Sequence, residues 1–153
     1  MSSAEPVIFV HEPDPAHPGW STWNLSDPSC FNGLAIGHLI VRAEGERAVR
    51  LRLHTQRRHA NLSGTVHGGV VLSMVDLSLF ASAQLVIGKH LAGSVTLDTS
   101  CQFLGSGRIG APLDAVTEVL RETGRMVFLR GLMMQEDHLV ASFTGTIRKP
   151  SAR

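Results

Sequence analysis

The stretch HANLSGTVHGGVVLSMVDLSLFASA, residues 59–83, decides the reading of this chain. A Gly-Gly pair, Gly68 and Gly69, opens a long apolar run, and a single acid, Asp76, interrupts it. The run to Gly88 carries apolar residues on every side, which predicts one buried helix rather than a surface one. Buried carboxylates are costly unless paired, and this helix offers no cation. Two readings of Asp76 follow. Neighbouring hydroxyls or water meet it, or it is a catalytic acid or base with a pKa raised by its apolar setting.

The helix start bears on that choice. Gly68 and Gly69 leave unpaired N–H groups with no side chain to block a ligand, which suits an oxyanion or a polarised carbonyl. At 1.5 Å per residue, Asp76 lies about 12 Å along the axis from Gly68. One helix cannot bring both groups to one reacting atom. Two copies packed antiparallel about a two-fold near Leu72 would set Gly68 of one beside Asp76 of the other. The arithmetic predicts a homodimer with active sites shared between subunits.

The flanks fix the class of fold. From His38 to Thr55, Val49, Leu51 and Leu53 alternate with Arg50, Arg52 and His54 after an EGE turn, the pattern of a hairpin. Residues 56–67 read as a polar loop. Beyond the helix come SVTLDTSCQFL, a hairpin turning at ETGR, and HLVASFTGTIRK, all rich in β-branched residues. One apolar helix among antiparallel strands predicts an α+β fold whose curved sheet wraps the helix. A sheet covers part of a helix only, and a second copy is the simplest cover for the rest.

Residues 1–30 hold five of the seven prolines and both tryptophans, Trp20 and Trp23. This density of proline predicts an arm that wraps the body, ahead of one domain over 31–153. The chain has 153 residues, 43% of them apolar and 18% charged, with a net charge of +1, so neither nucleic acid nor membrane is expected as a partner. A membrane span over 68–88 would place Asp76 near mid-bilayer, at a cost of about 2.5–3.5 kcal/mol. Cys30 and Cys101 stand far apart, fitting a reducing cytosol and no disulfide framework. The eight histidines lack metal-ligand spacing, so no metal or other cofactor is expected. GSGRIG, residues 105–110, falls too late for a dinucleotide fold and reads as a turn. Arg42 to Arg58 read as a solvated strand face, with Arg57 or Arg58 free to meet phosphates.

His59, Asn61, Gly64, His67, Gly68, Gly69 and Asp76 together resemble the H-x-N-x-x-G-x-x-H-G-G motif, with its downstream acid, of hotdog-fold acyl-CoA thioesterases of the phenylacetate-pathway, 4-hydroxybenzoyl-CoA thioesterase-like type. The likeness extends over about residues 31–149 and implies a hotdog fold and hydrolysis of an acyl-CoA to free acid and coenzyme A. It implies that Asp76 attacks the thioester or activates water, while Gly68 N–H and the Asn61 amide polarise the carbonyl. Thr96, with Ser94 as alternative, orients water or the acid. His67 supports the loop by hydrogen bonding rather than acting as base, and His67, Gly69, His59, Arg57 and Arg58 are the expected substrate-binding residues. The minimum unit is then a dimer, with room on the outer sheet face for a tetramer. The rival readings are a non-catalytic acyl-CoA binder or sensor on the same fold and, lower, a hotdog dehydratase.

Overall fold

A computed structural model describes residues 6–88 and 91–151. Nine strands and one long helix follow in chain order. They are β1 (Phe9–Val10), β2 (Ser21–Thr22), β3 (Asn24–Leu25), β4 (Leu39–Ala43), β5 (Ala48–His54), α1 (Gly68–Ile87), β6 (Val95–Phe103), β7 (Pro112–Glu122), β8 (Met126–Gln135) and β9 (His138–Arg148). Seven strands form one antiparallel sheet in the order β2-β4-β5-β7-β8-β9-β6, curled around α1, while β1 and β3 pair separately. This is the hotdog arrangement of a sheet around a central helix. The strand that follows α1 crosses to the far edge beside β9, whereas the hairpin that precedes it lies near the opposite edge.

Period-two alternation builds the inner face. Val49, Leu51 and Leu53 of β5 are buried, as are Leu113, Ala115, Leu129, Met133, Ala141 and Ile147 of the neighbouring strands. Close approach of helix to sheet depends on Gly145, where a methyl group would sit inside the Leu79 side chain. The helix ends at Ile87, followed by Gly88 in the left-handed conformation, where the apolar run stops.

The helix is not buried all round. Val71, Met74, Val75, Leu77, Ser78, Leu79, Ala81, Ser82 and Ala83 face the sheet. A stripe at helical spacing, Gly69, Leu72, Ser73, Asp76, Phe80 and Gln84, stays open or half-open, with Leu72 46% exposed at its centre. Among the described residues α1 alone is long and apolar enough to cross a membrane, and half of that window is buried in the sheet.

The N-terminal arm is built onto the body. β2 extends the main sheet, and Trp20 and Trp23 are 8% and 5% exposed. Arg42 and Arg52 flank the Trp20 ring at 4.6 Å each. Arg50 and Arg52 also close on buried Asp114 at 2.7–2.8 Å, and Arg50 reaches Glu44 at 2.8 Å. These strand arginines therefore form a paired network against the arm, not the solvated face expected from sequence. The sequence showed their alternation but not the nonlocal partners.

Candidate active site

The loop before α1 is shaped by its own short-range bonds. The Asn61 side-chain oxygen accepts from Ser63 N and Thr65 N, and its amide donates to Thr65 Oγ1 at 2.9 Å. Gly64 takes φ 76°, closing a turn that most side chains would strain. The GSGRIG segment braces this loop: Val66 N donates to Gly107 O at 2.8 Å, and Arg108 N to Gln135 Oε1 at 2.6 Å. It is a packed loop, as its reading as a turn requires.

His67 is the N-cap of α1. Its backbone is extended (φ −64°, ψ 137°), and its Nδ1 accepts from Gly69 N at 2.8 Å. Its carbonyl takes the N–H groups of Val70 and Val71. Gly69 therefore does not supply a free N–H, contrary to expectation. Gly68 N–H finds no acceptor among the described residues, and it opens on a cleft shared with Asn61, Val71 and Phe103. Replacing His67 by Ala is expected to lower stability by about 1 kcal/mol, the usual worth of a capping side chain, whereas Asn retains most of it. Urea unfolding midpoints check this, and an unchanged midpoint for His67→Ala would remove the cap assignment.

Asp76 projects from the open stripe of α1, half-buried. Thr96 Oγ1 donates to its Oδ1 at 2.6 Å. The register of β6 against β9 shifts between Thr96 and Asp98, a bulge beside the site of the kind that re-aims side chains. Ser94 Oγ is instead buried without a partner among the described residues. Of the two hydroxyls, Thr96 is the one at the carboxylate.

Two expected substrate contacts sit elsewhere. His59 is 1% exposed, its Nδ1 accepting from Gln56 N at 2.9 Å and its Nε2–H donating to Ile36 O at 2.8 Å. With both nitrogens occupied inside the core, it holds the loop and presents no free ring nitrogen to a ligand. The Arg58 guanidinium donates to the Leu34 and Ile36 carbonyls at 3.2 Å each, which fixes it to the 32–36 turn. Arg57 is exposed and has no side-chain partner among the described residues.

Burial holds the His59 pKa below its ordinary 6.5, with the nearby Arg58 charge acting in the same direction against a carbonyl contact that favours the cation. Burial likewise lowers that of His54. Above pH 6.5 both states are neutral and stability is complete. As pH falls below 6.5 the unfolded chain binds protons that the folded one refuses, so stability drops, at most about 1.4 kcal/mol per pH unit per histidine. Urea midpoints between pH 7.5 and 5 are expected to fall, and to fall less in His59→Gln. An equal slope in the variant removes His59 as the cause.

Residues 63–142 match the Thioesterase superfamily, so the chain belongs to that family. It is 28% identical over 115 residues to a Pseudomonas aeruginosa protein named "Putative esterase PA0474", covering 75% of this chain and 85% of that one. The phenylacetic acid degradation protein PaaI of Thermus thermophilus, solved as a point mutant, superposes with a TM-score of 0.65 at 26% identity, covering 81% of this chain and 100% of that one. A thioesterase-like protein of Streptococcus pneumoniae, solved with coenzyme A, shares the fold at a TM-score of 0.66 and 21% identity, covering 78% of this chain and 91% of that one.

Proposed function

We propose that this chain is an acyl-CoA thioesterase, a homodimer that hydrolyses its substrate to free carboxylic acid and coenzyme A. The observation that carries the reading is the Asp76–Thr96 pair on the open stripe of α1, together with the free N–H of Gly68 two turns earlier. In an antiparallel dimer these groups meet across the interface. Gly68 N–H, with the Asn61 amide, polarises the thioester carbonyl, and Asp76 acts on the carbonyl carbon directly or through water. In the water route Asp76 takes a proton, hydroxide adds to the carbon, and the C–S bond breaks. The thiolate leaves as coenzyme A and recovers that proton. Thr96 keeps the carboxylate oriented. Arg57 is the remaining candidate for the nucleotide phosphates.

Two surfaces support the dimer. Among the described residues nothing covers the open stripe of α1, and β6 is a free sheet edge with Val95, Leu97 and Phe103 at 41–52% exposure. The free thiols of Cys30 and Cys101 fit a reducing cytosol. Release of free thiol from a panel of acyl-CoAs tests the activity. Turnover of at least one member is expected. Binding without thiol release from any member would make the protein an acyl-CoA sensor instead.

A further inference from the structure

A second cleft, of about 500 Å³, lies between the N-terminal arm and the C-terminal half of α1. Val7, Ile8 and Phe9 form one wall, and Trp23, Phe80 and Leu91 complete a mainly apolar lining that His11 and Gln84 interrupt. The arm residues are 47–59% exposed in a row, although such a run would ordinarily be buried. Specific contacts hold them there: Phe9 stacks on Trp23 at 4.9 Å, Ile8 N donates to Ser26 Oγ at 3.1 Å, and Ser26 N returns a bond to Ile8 O at 2.8 Å.

The position of the cleft gives it a meaning. Phe80 stands one helical turn beyond Asp76 on the same open stripe, and Gln84 one turn further. Resting on the thioesterase reading, we infer that this cleft receives the acyl group, a straight saturated chain of medium length. With its carbonyl carbon at Asp76, the chain runs along α1 away from the two-fold, over Phe80 and under the arm, toward Gln84. That path is about 12 Å at 1.5 Å per residue. A fully extended chain spans about 1.2 Å per bond, since three backbone bonds cover about 3.3–3.6 Å, so the path holds an acyl group of about ten to twelve carbons. The volume fits a small-molecule site, and the mainly apolar lining favours an apolar acyl group.

The test is kcat/KM across straight-chain acyl-CoAs of two to sixteen carbons, with Ile8→Arg and Ile8→Trp. Ile8 is exposed, so both variants are expected to fold, which thermal unfolding checks. Wild type is expected to peak at about ten to twelve carbons. Ile8→Arg places a charge in the cleft and should cut the octanoyl-to-butanoyl ratio of kcat/KM at least about tenfold. Ile8→Trp fills it and should shift the optimum several carbons shorter. A wild-type optimum at two to four carbons, or a profile unmoved by both variants, overturns the acyl site while leaving the thioesterase reading intact. Turnover of an aromatic acyl-CoA such as benzoyl-CoA but of no straight-chain member overturns the acyl site alone, and turnover of neither overturns the thioesterase reading with it.

Discussion

Asp76→Asn is expected to lose at least about 10² in kcat, the scale of a missing general base, with little change in KM. Asparagine keeps the shape of the side chain, and its Oδ1 can still accept the Thr96 hydroxyl bond seen at 2.6 Å. It can neither take a proton from water nor attack the carbonyl, so the loss falls on the chemical step. The fold should not suffer. Asp76 is half-buried and has no cationic partner among the described residues, so removing its charge relieves desolvation rather than breaking a pair. Thiol release at saturating acyl-CoA, beside a thermal melt, separates the two effects. A kcat within tenfold of wild type in a folded mutant would falsify the role given to Asp76.

Gly68→Pro should cost a further distinct quantity, about 10²–10³ in kcat, the worth of one oxyanion donor. The substitution is unusually clean for a proline. Gly68 is the first residue of α1, where proline's fixed φ suits the helix and its missing N–H breaks no intrahelical bond. His67 before it is already extended at φ −64°, ψ 137°, the conformation that a following proline demands. A Cβ at Gly68 meets only ordinary contact, with Phe103 at 3.6 Å. Stability is therefore expected to hold while the free donor disappears. Gly68→Ala, which keeps the N–H, serves as the steric control. If proline and alanine lose the same activity, the N–H is not the carbonyl-polarising group.

Much of this site was legible along the chain because it is local. The helix span, its start at a glycine pair and the interruption at Asp76 follow from patterning over twenty consecutive residues. The free N–H at Gly68 follows from helix geometry itself, since the N–H groups of the first turn have no acceptor within the helix. The sequence could not show that His67 would cap Gly69 and remove one of the two expected donors, because capping turns on a single side-chain rotamer. Nor could it show His59 turning inward, since that depends on the Ile36 carbonyl 23 residues away.

The choice of Thr96 over Ser94 lay further still from the sequence. It rests on β6 crossing to the outer edge, pairing Thr96 with Ile147 of β9, and bulging at that point. The cleft between the arm and α1 likewise brings Phe9 and Trp23, stacked on each other, to one lining with Phe80, more than fifty residues on in the chain. By itself the sequence determined the helix, its acid, its open N-terminus and the alternating strands, because each is written in contacts a turn or a pleat apart. Tertiary structure alone decided which hydroxyl meets the acid, which arginines remain free and where a cleft opens. Those depend on strand order and register, which long-range pairing sets and short-range pattern does not encode.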